Sequence, residues 1–222
     1  PEIHRQFEKR FSLPIIETMG LTETGAQILS NPLPPKTRKI GSPGIGYGNE
    51  IMIADDNQNP LAAHEEGEIL VRGSNVMQGY LDRPEETAKT ITADGWLRTG
   101  DLGRMDEDGF VFVTGRIKEL IIKGGENIAP REVDEALLEH DAVLEAAAFA
   151  RPCQDYGQRV EACVRLKDGR TVSENDLREF CKNLIGGYKT PDHIHFLDDL
   201  PKGPSGKIQR MKLIDLAPAA NG

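Results

Sequence analysis

The stretch "MGLTETG", residues 19–25, places two threonines and a glutamate between glycines. In such a turn, hydroxyl, backbone amide and carboxylate groups can all face one anionic ligand and its metal ion. Taken alone, the same pattern is also typical of a capped turn that binds nothing. Thr22 and Glu23 are therefore candidates for binding a phosphate and a divalent cation if other motifs agree.

Two further stretches carry groups suited to a nucleotide. In "WLRTGDLG", residues 96–103, Asp101 follows a glycine turn, where its carboxylate could accept hydrogen bonds from both hydroxyls of a ribose. In "GRIKELIIKGG", residues 115–125, Arg116 and Lys118 would share a face if the segment were extended. The glycines that end this stretch would let a ligand approach the backbone closely.

A lysine near the end of the sequence, Lys207, lies in a Gly/Pro/Ser-rich loop, "PKGPSGKIQR", residues 201–210. This is not the P-loop motif, because Gly203 is too close to Gly206 and Ile208 replaces the hydroxyl residue that would bind magnesium. The loop therefore offers a cation without a complete phosphate-binding motif of its own.

The elements that must position these groups differ between the two halves of the chain. Between residues 40 and 114, the runs "EIMIAD", "GEILVRG" and "GFVFVTG" are rich in β-formers and are separated by Gly, Asn and Asp, which predicts a β-rich subdomain. "GSPGIGYG", residues 41–48, lacks the G-x-G-x-x-G spacing of a dinucleotide loop and is interpreted as a strand connection.

After residue 118 the pattern alternates between helix and strand. A helix is predicted over 129–140, with Val133, Leu137 and Leu138 on one face, and another over 173–185 with Ser173 as its N-cap. Strands are predicted over 143–150, 160–166 and 193–197. This order predicts a compact module of about 100 residues whose boundary lies near residues 115–118.

Composition excludes several classes of function. The 222 residues include 27 Lys and Arg against 36 Asp and Glu, and the net charge of −9 opposes binding to nucleic acid or to an anionic membrane. No apolar run approaches the ~20 residues that cross a bilayer. Cys153, Cys163 and Cys181 are odd in number and lack C-x-x-C spacing, so we expect buried, reduced thiols in a cytoplasmic protein.

The order and spacing of these motifs closely resemble the C-terminal part of the acyl- and aryl-CoA synthetases of the adenylate-forming superfamily, over nearly the whole chain. The resemblance implies an α+β fold in which residues 1–116 form the β-rich distal part of the large AMP-binding domain. Residues 117–222 would form a small, mobile α/β lid domain that turns about a hinge at Lys118.

The resemblance also implies a role for each motif. Gly20, Thr22 and Glu23 would meet the nucleotide phosphate, with Glu23 as a ligand of Mg²⁺, and Asp101 and Arg116 would hold the ribose. Gly124 and Gly125 would line the path of the pantetheine arm of coenzyme A, and Lys207 would serve adenylation. The implied reaction activates a small carboxylic acid with ATP to an acyl-adenylate and transfers the acyl group to CoA.

The sequence departs from the family at two points. Met19 takes the place of an aromatic residue that commonly stacks on adenine, and Glu17 together with "SNPLPP", residues 30–35, resembles the branch that activates oxalate. The family's Ser/Thr/Gly-rich phosphate loop and most of the acyl pocket precede the Thr-Glu motif and are not in this sequence. We therefore expect a C-terminal fragment that is inactive alone.

Three questions stay open from the sequence. The acid is not identified, and oligomerisation is possible. Two alternatives to a CoA ligase also remain: an adenylation domain that delivers to a carrier protein, and a non-catalytic nucleotide-binding fragment.

Overall fold

The computed structural model describes residues 2–204 and 206–218. The small residues of the terminal stretch "APAANG", residues 217–222, predict fraying, and most of this stretch lies outside the described residues. The chain forms two compact units that divide between Ile117 and Lys118. Helices and sheets are mixed along the chain, which agrees with the predicted α+β class.

The first unit contains two antiparallel sheets. One has three strands, β1 to β3, and the other has four, β4 to β7, each in chain order. The strands are β1 (Thr18–Gly20), β2 (Gln27–Ser30), β3 (Ile45–Gly46), β4 (Glu50–Ala54), β5 (Gly67–Arg72), β6 (Leu97–Met105) and β7 (Val111–Arg116). Apolar residues of both sheets, including Leu29, Ile69 and Val111, form one buried core. Two helices, α1 (Glu2–Phe11) and α2 (Pro84–Thr90), complete the unit.

The predicted strands of this unit are confirmed, but the surroundings of Asp101 are not as expected. Asp101 lies within the nine-residue strand β6 and not in a turn. Gly100, with φ of 70°, and a register shift between Leu102 and Gly103 interrupt the strand without ending it. The glycines that resembled a turn in the sequence are therefore irregularities inside a strand.

The second unit is built on a five-stranded sheet. Its central strand β11 (Gly157–Leu166) pairs antiparallel with β10 (Val143–Cys153) and parallel with β12 (His193–Phe196). Near its start it also meets β8 (Ile121–Lys123), which forms a hairpin with β9 (Glu126–Ile128). The helices are α3 (Pro130–Leu138), α4 (Glu174–Ile185) and the short α5 (Leu213–Leu216).

Helices α3 and α4 form where the sequence predicts them. The side chain of Ser173 accepts a hydrogen bond from the backbone amide of Asp176, which confirms the predicted N-cap. Val133 and Leu137 are buried against the sheet, whereas Leu138 is 46% exposed because it follows Leu137 around the helix and leaves the apolar face. The opposite face of the sheet is covered by the C-terminal segment through Leu200, Leu213 and Ala217.

The cysteines belong to this second unit. Cys163 and Cys181 are buried in apolar clusters, and burial raises the pKa of both thiols to about 11. Cys153 is partly exposed at the end of β10. Among the described residues, every helix is too short or too polar to cross a membrane.

Candidate functional site

The Thr-Glu pair lies in a tight turn after β1. Residues Thr22–Thr24 form a single 3-10 turn, closed by Gly25 at φ of 61°. Thr24 is fully buried, and its hydroxyl donates to the carbonyl of Ala26 at 2.8 Å. Thr22 is exposed at the start of the turn. Because Thr24 fixes the turn internally, the hydroxyl of Thr22 and the carboxylate of Glu23 are presented from a defined backbone.

Gly20 supports this turn by close packing. A Cβ atom at position 20 would lie 2.8 Å from the carbonyl oxygen of Ala26, so a larger residue would displace β2. Close packing is therefore a structural reason for glycine at position 20, in addition to its predicted role at the phosphate.

The side chain of Glu23 is bound by Tyr80, which is 57 residues away in the chain. No local sequence pattern predicts this contact. The Tyr80 hydroxyl donates to Oε1 of Glu23 at 3.0 Å, and the backbone amide of Met77 donates to the Glu23 carbonyl at 2.8 Å. Partial burial and the neighbouring Glu23 raise the pKa of the Tyr80 phenol, so Tyr80 is a donor at neutral pH. This contact orients Glu23 and leaves its second carboxylate oxygen, Oε2, for a cation.

Asp101 and Arg116 form a cross-strand pair. The two residues are Cα partners in the β6–β7 ladder, and Arg116 Nε lies 2.7 Å from Asp101 Oδ1. Asp101 is only 4% exposed, whereas the Arg116 side chain is 44% exposed. The partly exposed guanidinium of Arg116 thus orients the buried carboxylate through a charge-assisted hydrogen bond.

Buried Glu68 fixes the backbone just before Asp101. It accepts hydrogen bonds from the Gly100 amide at 3.0 Å and from Arg98 Nε at 2.8 Å. Glu68 is a supporting residue that sequence reasoning missed, since it lies 32 residues away from Gly100.

Arg116 and Lys118 do not share a face of an extended segment, contrary to the expectation. Arg116 ends β7, whereas Lys118 lies in the 3-10 turn Ile117–Glu119. They also belong to different compact units, because the division falls between Ile117 and Lys118. Lys118 is exposed.

The two adjacent glycines form the turn of the β8–β9 hairpin. Lys123 and Glu126 are paired, so Gly124 and Gly125 are the two turn residues, with φ of 56° and 88°. Two successive positive φ values are typical of the type I′ turn, which favours glycine. The pair therefore has a backbone reason to be glycine in addition to any role beside a ligand.

Lys207 lies in a loop whose base is well connected. Lys202 and Ile208 form an isolated β-bridge, and the Gly203 amide donates to the Lys207 carbonyl at 2.8 Å. The Lys207 side chain is exposed and has neither a hydrogen bond nor an ion pair with any residue that the structure describes. The loop thus presents its cation from a fixed base.

Arg210 connects that base to two other parts of the second unit. Its guanidinium donates to the Ala148 carbonyl, lies 2.7 Å from Asp134 Oδ2 on α3, and lies 3.2 Å from Glu119 Oε2 beside Lys118. The only sequence signal for Arg210 is its place three residues after Lys207.

The predicted site residues thus form separate groups in the structure. Within the first unit, Thr22 and Glu23 share one turn, and Asp101 pairs with Arg116. Lys118, Gly124, Gly125 and Lys207 belong to the second unit.

Oxygen ligands at the Thr22–Glu23 turn match the preference of Mg²⁺, but they are too few for a complete site. Among the described residues, no group of three or more His, Cys, Asp or Glu side chains could hold a metal ion. The turn therefore suits an ion that takes its other ligands from phosphate oxygens and water.

Two residues that depart from the family pattern have structural roles here. Met19 is partly buried against the core of the first unit. Glu17 accepts a hydrogen bond from the Gly41 amide at 2.9 Å and so anchors the loop before β3.

Profiles of two protein families match the chain. The family described as AMP-binding enzyme matches residues 1–81, and the AMP-binding enzyme C-terminal domain matches residues 132–207. A sulfoacetate–CoA ligase from Cupriavidus necator is 50% identical over 217 residues, which are 98% of this chain and 43% of that protein. An oxalate–CoA ligase from Saccharomyces cerevisiae is 42% identical over 95% of this chain and 39% of that protein.

Among solved structures, ATP-bound MatB from Rhodopseudomonas palustris matches with a TM-score of 0.91 and 32% identity. The match covers 97% of this chain and 44% of that one. The chain therefore spans about two fifths of the length of the relatives that it matches.

Proposed function

The chain belongs to the adenylate-forming superfamily of AMP-binding enzymes, and from this we propose that its gene product is an AMP-forming acid–CoA ligase of the cytoplasm. The observation that carries the proposal is the 50% identity to a sulfoacetate–CoA ligase over 98% of the chain, which includes every motif described above. The activity belongs to the whole enzyme, because the chain spans 43% of that relative.

In the first half-reaction, the substrate carboxylate attacks the α-phosphate of ATP, and the bond to pyrophosphate breaks. Asp101 and Arg116 bind the ribose, and Thr22 and Glu23 approach the phosphates. Negative charge grows on the phosphoryl oxygens, so the free cation of Lys207 stabilises the transition state more than the ground state. A magnesium ion held by Glu23 would supply further positive charge to the phosphates.

In the second half-reaction, the CoA sulfur attacks the carbonyl carbon of the acyl-adenylate, and AMP leaves. The Gly124–Gly125 turn lines the passage of the narrow arm of CoA. One site thus needs Lys207 first and the glycine turn second. Rotation of the second unit about Lys118 would present them in that order.

We further propose that the acid is small and carries a second acidic group. Both relatives described above are named for such acids, sulfoacetate and oxalate. Glu17 and "SNPLPP" point in the same direction through their resemblance to the oxalate-activating branch.

The first test is to incubate the full gene product with Mg-ATP, CoA and a panel of sulfoacetate, oxalate, a longer dicarboxylate and acetate, and to detect thioesters by mass. A thioester with a diacid but not with acetate is expected. Acyl-adenylate or AMP without any thioester would mean that the acceptor is a carrier protein or another nucleophile, and the CoA assignment would be wrong.

Separable mutants test the two-step use of the second unit. Lys207→Ala should abolish adenylation, measured as ATP–pyrophosphate exchange, yet spare thioester formation from supplied acyl-adenylate. Lys118→Pro and Gly125→Leu should spare exchange and lose thioester formation. Equal loss of both half-reactions in all three variants would contradict the proposal.

A further inference from the structure

The two turn glycines, Gly124 and Gly125, have different surroundings. A Cβ atom at Gly124 would lie 3.1 Å from the Tyr188 hydroxyl and 3.3 Å from the Tyr156 ring. A Cβ atom at Gly125 would meet nothing within 4 Å. Gly124 is thus the inner residue of the turn, closed off by protein, and Gly125 is the residue with an open face.

Tyr188 fixes the backbone on the inner side of the turn. Its hydroxyl donates to the carbonyl of Lys123, the residue before Gly124. The Gly124 amide in turn donates to the carbonyl of Tyr156 at 2.9 Å. The carbonyl and the amide of the Lys123–Gly124 peptide unit, which leads into the turn, are therefore both bound to residues on other segments, which restricts rotation of the turn.

The Lys123 side chain also helps to hold Tyr188 beside the turn. It is 6% exposed, and its ammonium lies 3.0 Å from Asp192 Oδ2 and 3.3 Å from the Tyr188 carbonyl. The ammonium also lies 5.4 Å from the centre of the Tyr188 ring, within the range of a cation–π contact. Tyr188 thus contacts Lys123 through its hydroxyl, its carbonyl and its ring.

A two-residue glycine turn has unusual conformational freedom, because glycine is not restricted by a side chain. If the outer face of the turn is to guide a ligand, that freedom must be removed by neighbouring groups. The Tyr188 hydroxyl restricts the turn directly, because it binds the carbonyl of Lys123.

We propose that Tyr188 is a positioning residue for thioester formation, whose hydroxyl holds the Gly124–Gly125 turn so that Gly125 presents its open face to the CoA arm. The role rests on the proposed ligase function. Tyr188 acts through the turn and takes no part in bond making.

Tyr188→Phe removes this hydroxyl and keeps the ring. Tyr156→Phe is the matched control, since the Tyr156 hydroxyl has no hydrogen-bond partner among residues 2–204 and 206–218. In the full gene product, Tyr188→Phe should lower kcat/KM for CoA about tenfold, the effect of one lost hydrogen bond. ATP–pyrophosphate exchange should stay unchanged, and Tyr156→Phe should match the wild type throughout.

The outcomes separate the two proposals. Exchange in the wild type together with an unaffected Tyr188→Phe, or with equal losses in both half-reactions, would overturn the role of Tyr188 alone. Absence of exchange in the wild type would overturn the ligase function and this role with it. If Tyr188→Phe does not fold, Asp192→Asn, which loosens Lys123, should give the same selective loss, and failure to do so would overturn the proposal.

Discussion

Glu23 reaches its position through a partner 57 residues away in the chain, Tyr80. Partners that orient a metal-binding carboxylate typically affect metal affinity by 10- to 100-fold when they are removed. The Tyr80 hydroxyl is such a partner if Glu23 binds magnesium.

At this scale we predict that Tyr80→Phe raises the Mg²⁺ concentration needed for half-maximal ATP–pyrophosphate exchange by about tenfold. Saturating Mg²⁺ should restore most of the rate, because the carboxylate itself remains. Tyr47→Phe, at an exposed tyrosine of the same unit, is the control. An unchanged Mg²⁺ requirement in Tyr80→Phe would show that Glu23 needs no support.

Local sequence patterns indicate candidate site residues with motif spacing and give no signal for the residues that orient them. Thr22, Glu23, Asp101 and Lys207 each stand in a short local pattern. Tyr80, Glu68 and Tyr188 act on residues 32 to 65 positions away, and no local pattern encodes such a pair. Their roles become visible only when the strands and turns bring them together.

At the scale of elements, Arg210 joins the Lys207 loop, helix α3 and the turn at Ile117–Glu119. Asp134 and Arg210 are both mostly buried, with side chains 13% and 16% exposed. Removing one member of a buried pair leaves the other charge without compensation, which typically costs 3–5 kcal/mol.

We therefore expect Arg210→Met to lower the free energy of unfolding of the second unit by about 3 kcal/mol in urea titrations. Glu119→Gln should cost much less, since the Asp134 contact remains. Lys212→Met, at an exposed position of the same segment, should change little. Equal stability of Arg210→Met and Lys212→Met would contradict this account.

The same scale explains which elements could be predicted. Helices α3 and α4 follow from apolar spacing, Pro130 and the Ser173 cap, all local features. Strand β6 escaped prediction because Gly100 and Gly103 resemble turn residues, and only pairing with β5 and β7 keeps the chain extended through them. The β8–β9 hairpin also depends on strand pairing, so the local sequence does not show that its turn requires glycine at positions 124 and 125. Their place beside the CoA arm stays a prediction.

At the scale of the whole molecule, the buried carboxylate of Glu161 makes the stability of the fold depend on pH. Glu161 is 0% exposed and contacts Arg151, Arg159 and His195. Burial opposes its ionisation, but these three contacts outweigh burial and hold the pKa of Glu161 below its ordinary value of 4.5. A carboxyl group with a lowered folded pKa stabilises the fold above the unfolded pKa. That contribution is lost as the pH falls through the lower, folded value.

We predict that the second unit loses stability progressively as the pH falls below 4.5. Glu161→Gln should be less stable at neutral pH, because two guanidinium groups lose their partner, and should show a weaker dependence on acid. Thermal melting between about pH 3 and pH 7 measures both effects. Parallel pH curves for the two proteins would exclude Glu161 as a source of acid sensitivity.

The three cysteines differ in burial, so a thiol-reactive fluorescent dye should label Cys153 selectively. Thiol reagents attack the thiolate, so Cys163 and Cys181, buried and with pKa values of about 11, are poor targets at neutral pH. Cys153 is partly exposed and pairs with Gly157, which is itself paired with Lys123 beside the glycine turn. A dye attached there would report on the surroundings of that turn without any engineered residue.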